Sequence, residues 1–156
     1  MGSRSVIGIA AIAALFLSGC GSSSSTPQAA ASPSPSASPA VEVATISVAG
    51  TQEMVLTNPS GLTLYYLTSD LGSAPKCTGA CLTHWPPLLS TGTPTGMAGV
   101  TGTLTVIGNA NGSQVAYNGH LLYLFANDKA KGDANGEGIK AFGGVWHVAT
   151  PALTSG

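Results

Sequence analysis

One ten-residue stretch occurs twice in this chain, and that repetition limits its possible folds more than any other feature. Gly61-Leu62-Thr63-Leu64-Tyr65-Tyr66-Leu67-Thr68-Ser69-Asp70 returns fifty-eight residues later as Gly119-His120-Leu121-Leu122-Tyr123-Leu124-Phe125-Ala126-Asn127-Asp128. Continued upstream without a gap, the same register lays Thr45 to Asp70 on Thr103 to Asp128. Seven of those 26 positions are identical: Thr45/Thr103, Val48/Val106, Gly50/Gly108, Gly61/Gly119, Leu64/Leu122, Tyr65/Tyr123 and Asp70/Asp128. Self-similarity at a fixed period signals two copies of one structural unit.

The periodicity within each copy is that of strands. No window of eleven or more residues after position 40 keeps an apolar i, i+3, i+4, i+7 stripe. Short Val, Ile, Leu, Thr and Tyr runs instead alternate with Gly, Asn and Pro. The pattern predicts strands near 43–49, 53–57 and 62–67, with Asn58-Pro59-Ser60-Gly61 as a turn. The second copy predicts strands near 102–108, 113–117 and 120–125, with turns at Asn109-Ala110-Asn111-Gly112 and Asn118-Gly119. Asn-Gly between two β runs is the strongest short hairpin signal, because a type I′ turn requires positive φ at both central residues. Each triplet is followed by a longer loop and a tryptophan segment expected to be extended, Trp85-Pro86-Pro87-Leu88-Leu89 or Gly144-Val145-Trp146-His147-Val148.

The expected fold is therefore all-β, with two related antiparallel β-meander units (about 45–90 and 103–149) in one small domain over 41–156. Neither unit could bury its apolar face alone, so the two should pack around a shared core. A sandwich-like and a propeller-blade-like arrangement both fit. Along the repeated stretch, Leu64 and Tyr66 share one strand face while Tyr65 and Leu67 share the other. Leu122 with Leu124, and Tyr123 with Phe125, repeat that division, so both faces are bulky and the strand should be covered on each side. Asp70 and Asp128 fall just past the strand ends, where a carboxylate accepts backbone N–H bonds and fixes the following loop. The sharper alternative makes Asp70, Asp128 and the tyrosine hydroxyls a polar ligand site.

Residues 1–19 read as an address. Arg4 gives a short positive region, and the apolar run Val6 to Leu17 is shorter than the about 20 residues a helix needs to cross a membrane. Leu17-Ser18-Gly19-Cys20 then resembles the lipobox of bacterial lipoproteins, which implies cleavage before Cys20 and a diacylglyceryl group on its sulfur. Two acyl chains anchor stably, where one holds only marginally at about 0.8 kcal/mol per buried CH₂. Residues 20–40, rich in Ser, Pro and Ala, carry no large apolar side chain before Val41 and read as a disordered tether stiffened toward polyproline II. The expected location is extracytoplasmic, at the cell membrane or the outer membrane.

Charge excludes one class of partner. Without Arg4, four lysines against six acids leave a net charge of −2 and no basic patch, so nucleic acid is not expected to bind.

The pattern Tyr-x-[Phe/Trp/Tyr]-x-x-Asp, repeated in a chain with a lipobox, resembles the lipoproteins described as a "secreted repeat of unknown function". Tyr123-Leu124-Phe125-Ala126-Asn127-Asp128 carries it fully, while Tyr65-Tyr66-Leu67-Thr68-Ser69-Asp70 has Leu67 in place of the aromatic. Two further stretches resemble that family: Cys77-Thr78-Gly79-Ala80-Cys81 before Trp85-Pro86-Pro87-Leu88, and Gly132-Asp133-Ala134-Asn135-Gly136-Glu137-Gly138 before Gly143-Gly144-Val145-Trp146. The resemblance covers most of residues 45–149 and implies no activity.

Few residues nominate chemistry. Cys77 and Cys81 lie where thiols oxidise and are expected to form a disulfide, worth about 2 kcal/mol for so short a loop. The alternative adds His84 as a third ligand for copper or zinc, or makes the cysteines a redox-active pair. Asp133-Ala134-Asn135-Gly136-Glu137 places oxygens at alternate positions and slightly resembles a calcium loop, without the spacing of an EF-hand. No nucleophile elbow, His-Glu-x-x-His or phosphate loop occurs, so no catalytic residue, resident metal or cofactor is nominated. The leading expectation is a non-catalytic envelope module that binds an envelope protein or small ligand, or is structural. The alternatives are a metal or thiol-redox accessory protein using Cys77, Cys81 and His84, and an envelope hydrolase.

Overall fold

A computed structural model describes residues 40–70 and 72–155. The expected leader, the expected lipid-attachment residue Cys20 and the expected tether up to residue 39 lie outside the described residues. The elements run β1 (Ala40–Val48), β2 (Thr51–Thr57), β3 (Tyr65–Leu67), α1 (Cys81–His84), β4 (Thr95–Gly96), β5 (Leu104–Asn109), β6 (Gly112–Tyr117), β7 (His120–Leu121), β8 (Lys140–Ala141) and β9 (Gly144–Val148). The fold is all-β, as the periodicity requires, with a single helical turn among the described residues. Three small sheets form, in the orders β2-β1-β4, β3-β9-β8 and β5-β6-β7, and none closes into a barrel. Every pairing is antiparallel except the short parallel contact of β1 with β4.

Turn chemistry sets the hairpins. Asn118 and Gly119 have φ of 49° and 89°, the pair of left-handed conformations a type I′ turn needs between β6 and β7. Between β2 and β3, the Asn58 side-chain oxygen accepts hydrogen bonds from the N–H groups of Ser60 and Leu62, both at 3.0 Å. That asparagine closes the four-residue turn read from the sequence.

The two copies share an unusual hydrogen-bond figure. Leu56 N–H donates to Ala149 O, Ala149 N–H to Leu64 O and Leu64 N–H to Leu56 O, closing a ring of three backbone bonds. Val115, Leu88 and Leu122 repeat it: Val115 N–H donates to Leu88 O, Leu88 N–H to Leu122 O and Leu122 N–H to Val115 O. In both rings the third member comes from the other copy's tryptophan segment. Strand β9, from the second copy, pairs with β3 of the first through Tyr65↔Val148, Tyr66↔His147 and Leu67↔Trp146. The segment after Trp85, from the first copy, pairs with the second through Pro87↔Tyr123 and Leu89↔Gln114. Each meander is thus completed by the other copy's fourth segment, an exchange that repetition alone does not reveal.

Two further details depart from the sequence reading. Trp85 to Leu89 is not a continuous strand, because Pro86 and Pro87 have no N–H to donate to a ladder; only isolated bridges form, after the helical turn α1. The ungapped register also fails upstream of Gly61/Gly119. Val43 pairs with Leu56 and Val106 with Val115, so Val106 corresponds to Val43 and not to Val48. The β1–β2 hairpin is longer than β5–β6, which shifts its turn to Ala49-Gly50, whereas the second closes at Ala110-Asn111. The identities Thr45/Thr103, Val48/Val106 and Gly50/Gly108 are therefore not structural equivalences.

The two strand faces build two cores. Tyr65, Leu67, Tyr123 and Phe125 enter one cluster with Trp85, Trp146, Ile46, Val55 and the two cysteines. Leu64 and Leu122 enter the other with Val41, Leu56, Leu88, Val115 and Tyr117, and Tyr66 and Leu124 pack against it. Trp85 and Trp146 stack at a centroid distance of 3.8 Å and an interplanar angle of 2°. Tyr65 meets Trp85 edge-on at 5.4 Å, and Tyr123 meets Trp146 edge-on at 5.1 Å. Such aromatic pairs contribute about 0.5–1.5 kcal/mol each beyond their area burial.

Candidate functional site

The repeated motif residues converge in the core rather than at a surface. Tyr65 OH donates to Asp128 Oδ2 at 2.6 Å, and Tyr123 OH donates to Asp70 Oδ2 at 2.6 Å. Each tyrosine therefore binds the other copy's aspartate. Asp128 Oδ1 also accepts from Asn135 N–H and its side-chain amide, and Asp70 Oδ1 accepts from Lys76 N–H. The loop-fixing role expected of these carboxylates is present, with a cross-copy phenol added. Burial first, then the bond to Asp128, pushes the Tyr65 phenol far above its ordinary value; burial and Asp70 do the same to Tyr123. Asp70 is fully buried and Asp128 nearly so, which leaves the quartet enclosed rather than open to a ligand. Phe125 stacks on Trp85 at 4.3 Å, next to that network.

The other nominated groups are placed apart. Cys77 and Cys81 form a disulfide and are buried, whereas His84 is exposed on α1. With both sulfurs bonded, the Cys77–Cys81–His84 ligand set is not assembled. Among the described residues, no group of three or more His, Cys, Asp or Glu side chains is arranged to hold a metal. The oxygens of the 133–137 loop do not converge on a calcium position either. Asp133 Oδ2 accepts from the N–H groups of Ala130 and Lys129, which lower its carboxyl in that order of effect. Asn135 turns to Asp128, and Glu137 turns to His147. Cys20 lies outside the described residues.

Polar and aromatic groups do meet at a cleft of about 670 Å³ that the sequence did not announce. The end of the β1–β2 hairpin supplies Gln52 and Glu53, β3 supplies Tyr66, the loop before β8 supplies Glu137, and β9 supplies His147. Glu137 Oε1 lies 2.6 Å from His147 Nδ1, and Glu137 Oε2 accepts the Val148 N–H at 2.7 Å. A carboxylate held by a backbone N–H fixes the imidazole ring through Nδ1, and among the described residues Nε2 has no hydrogen-bond partner. The ring of Tyr66 lies 6.0 Å from that of His147 and 4.9 Å from that of His120. Burial, then the charge of Glu137, raises the Tyr66 phenol above its ordinary value. His120 is buried, and its Nε2 lies 3.1 Å from Thr154 O, which can only accept; Nε2 is then the donor, and among the described residues Nδ1 has no partner.

Period-2 alternation would have separated Tyr66 from Tyr65, and the Asn118-Gly119 hairpin would have placed His120 on β7. Glu137 and His147 meet through the β8–β9 hairpin, which continues as Trp146 N–H donating to Ile139 O and Gly138 N–H donating to Trp146 O. Tyr66 joins them because β9 pairs with β3 of the other copy, with Tyr66 opposite His147.

Residues 105–150 match the model of a family described as a secreted repeat of unknown function. The matched stretch holds the second copy from β5 to the end of β9, including Tyr123, Asp128 and Trp146. No curated protein and no solved structure matches the chain.

Proposed function

We propose that this secreted-repeat protein is a lipid-anchored, non-catalytic binding module of the cell envelope, and that its ligand site is the cleft around Tyr66, Glu137 and His147. One observation carries the reading. The motif tyrosines and aspartates are engaged with one another inside the core, while the cleft groups combine an aromatic face, a carboxylate and an oriented imidazole in an accessible concavity. The lipobox-like Leu17-Ser18-Gly19-Cys20 supports the anchoring, and the Ser/Pro-rich tether suits a domain held clear of a lipid surface.

Two measurements test it. Replacing Cys20 with Ser should release the protein from membranes into detergent-free supernatant; continued sedimentation with membranes would remove the anchor from the proposal. Ligand screening by amide chemical shifts should perturb the resonances of Tyr66, Glu137 and His147, and Tyr66→Ala should abolish the effect. Perturbation confined to other surfaces would move the site elsewhere.

A second reading, an envelope hydrolase, is favoured by the Glu137–His147 pair, since a carboxylate-held imidazole is the arrangement of a general base. It requires turnover of an envelope substrate that falls with His147→Gln. Binding without turnover supports the module.

A further inference from the structure

The cleft continues past Glu53. A second, more apolar depression of about 470 Å³ is lined by Val43, Met54, Thr101, Pro151 and Ala152, and it shares Glu53 and Thr150 with the first. Adjoining at those two residues, they make a groove with a polar end at Tyr66 and an apolar end at Met54, a residue 59% exposed.

Charge along this groove has one sign. Glu53 and Glu137 supply the formal charges, and among the described residues no lysine or arginine lines either part. The Glu137 carboxylate is already committed to His147 and the Val148 N–H, while Glu53 is exposed on the rim common to both depressions. Tyr66 adds an aromatic ring, the surface on which a cation gains from the ring quadrupole.

The groove also follows a strand edge. Thr51, Gln52, Glu53 and Met54 line it consecutively, and β2 is the outer strand of its sheet, paired with β1 alone over those residues. An outer strand offers alternate N–H and C=O groups to an extended chain, which a small amine could not use.

We propose that this groove takes an extended peptide segment laid along the edge of β2, with a basic side chain at Glu53 and Tyr66 and an apolar side chain over Met54 and Val43. The assignment rests on the cleft being a binding site and names its occupant. Backbone pairing supplies register, Glu53 supplies selection for positive charge, and the apolar end selects the neighbouring residue.

The test titrates the full mature chain with acetyl-Leu-Lys-Val-Leu-amide and with the same peptide carrying norleucine or glutamate in place of lysine. The lysine peptide should bind saturably and shift the amides of Thr51 to Met54 together with Tyr66. The norleucine peptide should bind more weakly, and the glutamate peptide more weakly still. Glu53→Gln should weaken the lysine peptide about two- to fivefold, the range of a partly exposed ion pair, and leave the norleucine peptide unchanged. Added salt should weaken the lysine peptide on the unsubstituted protein, a check independent of any variant. Equal binding of the lysine and glutamate peptides would overturn the proposal, as would no binding at millimolar peptide or shifts away from β2. If a neutral saccharide or a small acid perturbs Tyr66 and His147 where the peptides do not, the peptide assignment fails and the cleft remains a binding site. If ligands of every class act only on other surfaces, both fail.

Discussion

Tyr65 and Tyr123 pair backbone to backbone across the two copies: Tyr65 N–H donates to Tyr123 O at 2.8 Å, and Tyr123 N–H donates to Tyr65 O at 2.9 Å. Their hydroxyls then reach in opposite senses to Asp128 and Asp70 at 2.6 Å. Two sequence copies are thereby locked by four hydrogen bonds that neither copy can make alone. The stretch at 105–150 that matches the secreted-repeat model contains the Tyr123 and Asp128 half of this arrangement, and the first copy supplies the rest.

The crossed pairing predicts a specific pattern of coupling. Tyr65→Phe and Asp128→Asn should each cost about 1–3 kcal/mol by leaving a buried partner unsatisfied. A double-mutant cycle between them, read from urea midpoints, should give a coupling energy of about 0.5–3 kcal/mol. The cycle between Tyr65→Phe and Asp70→Asn, residues of the same copy, should give a clearly smaller value. The reverse ranking would rule out exchange between the copies.

Alkaline pH should destabilise the fold through the same tyrosines. Both phenols are raised above the ordinary 10.0 in the folded protein, so the folded chain keeps its protons where the unfolded chain loses them. Their contribution is therefore complete below pH about 10 and declines as pH rises beyond it toward the folded values. Phenolate absorbance of the native protein should leave Tyr65 and Tyr123 untitrated until unfolding. Tyr65→Phe with Tyr123→Phe should flatten the loss of stability above pH 10.

Gly136 should tolerate no side chain. A Cβ there would lie 2.7 Å from Trp85 Cη2 and 2.8 Å from Tyr65 Cε1, both rigid rings in the core. Gly136→Ala should cost about 1–3 kcal/mol by overpacking. Gly108→Ala, whose Cβ meets nothing within 4 Å, should be close to neutral in the same thermal melts. Equal effects would contradict the packing around Trp85.

The disulfide should be sheltered and modest in effect. Cys77 and Cys81 are 0% and 2% exposed, so native protein should show neither thiol to a colorimetric reagent even with mild reductant present. Both should appear after denaturation and reduction. Replacing both by Ser should lower stability by about 2 kcal/mol, because the enclosed loop is short. Ready reduction of the native protein would show the loop to be open.

Much of the hairpin architecture was present in local signals. Asn118-Gly119 and Asn58 carry their turns in their own side chains and backbone preferences, and the alternation of Leu64, Tyr65, Tyr66 and Leu67 divides the two cores by period alone. The aspartates' loop-fixing role was equally legible, since it needs only a carboxylate next to free N–H groups. Pro86 and Pro87 were visible too, and their missing N–H groups account for the interrupted strand that a simple β reading overlooked.

Partner choice belonged to the tertiary structure. Repetition told that two units must cover each other, but each tryptophan segment offers an aromatic ring that either unit could bury, so no local signal chose between closing each unit on itself and exchanging the fourth segment. The structure exchanges them, with β9 on β3 and the segment after Trp85 on the second copy, and both tryptophans are buried stacked in one cluster. The pairing of Tyr65 with Tyr123 across the copies came with the Tyr–Asp bonds, and the pairing of β9 with β3 brought Tyr66 against the Glu137–His147 pair, contacts between residues that no sequence spacing relates.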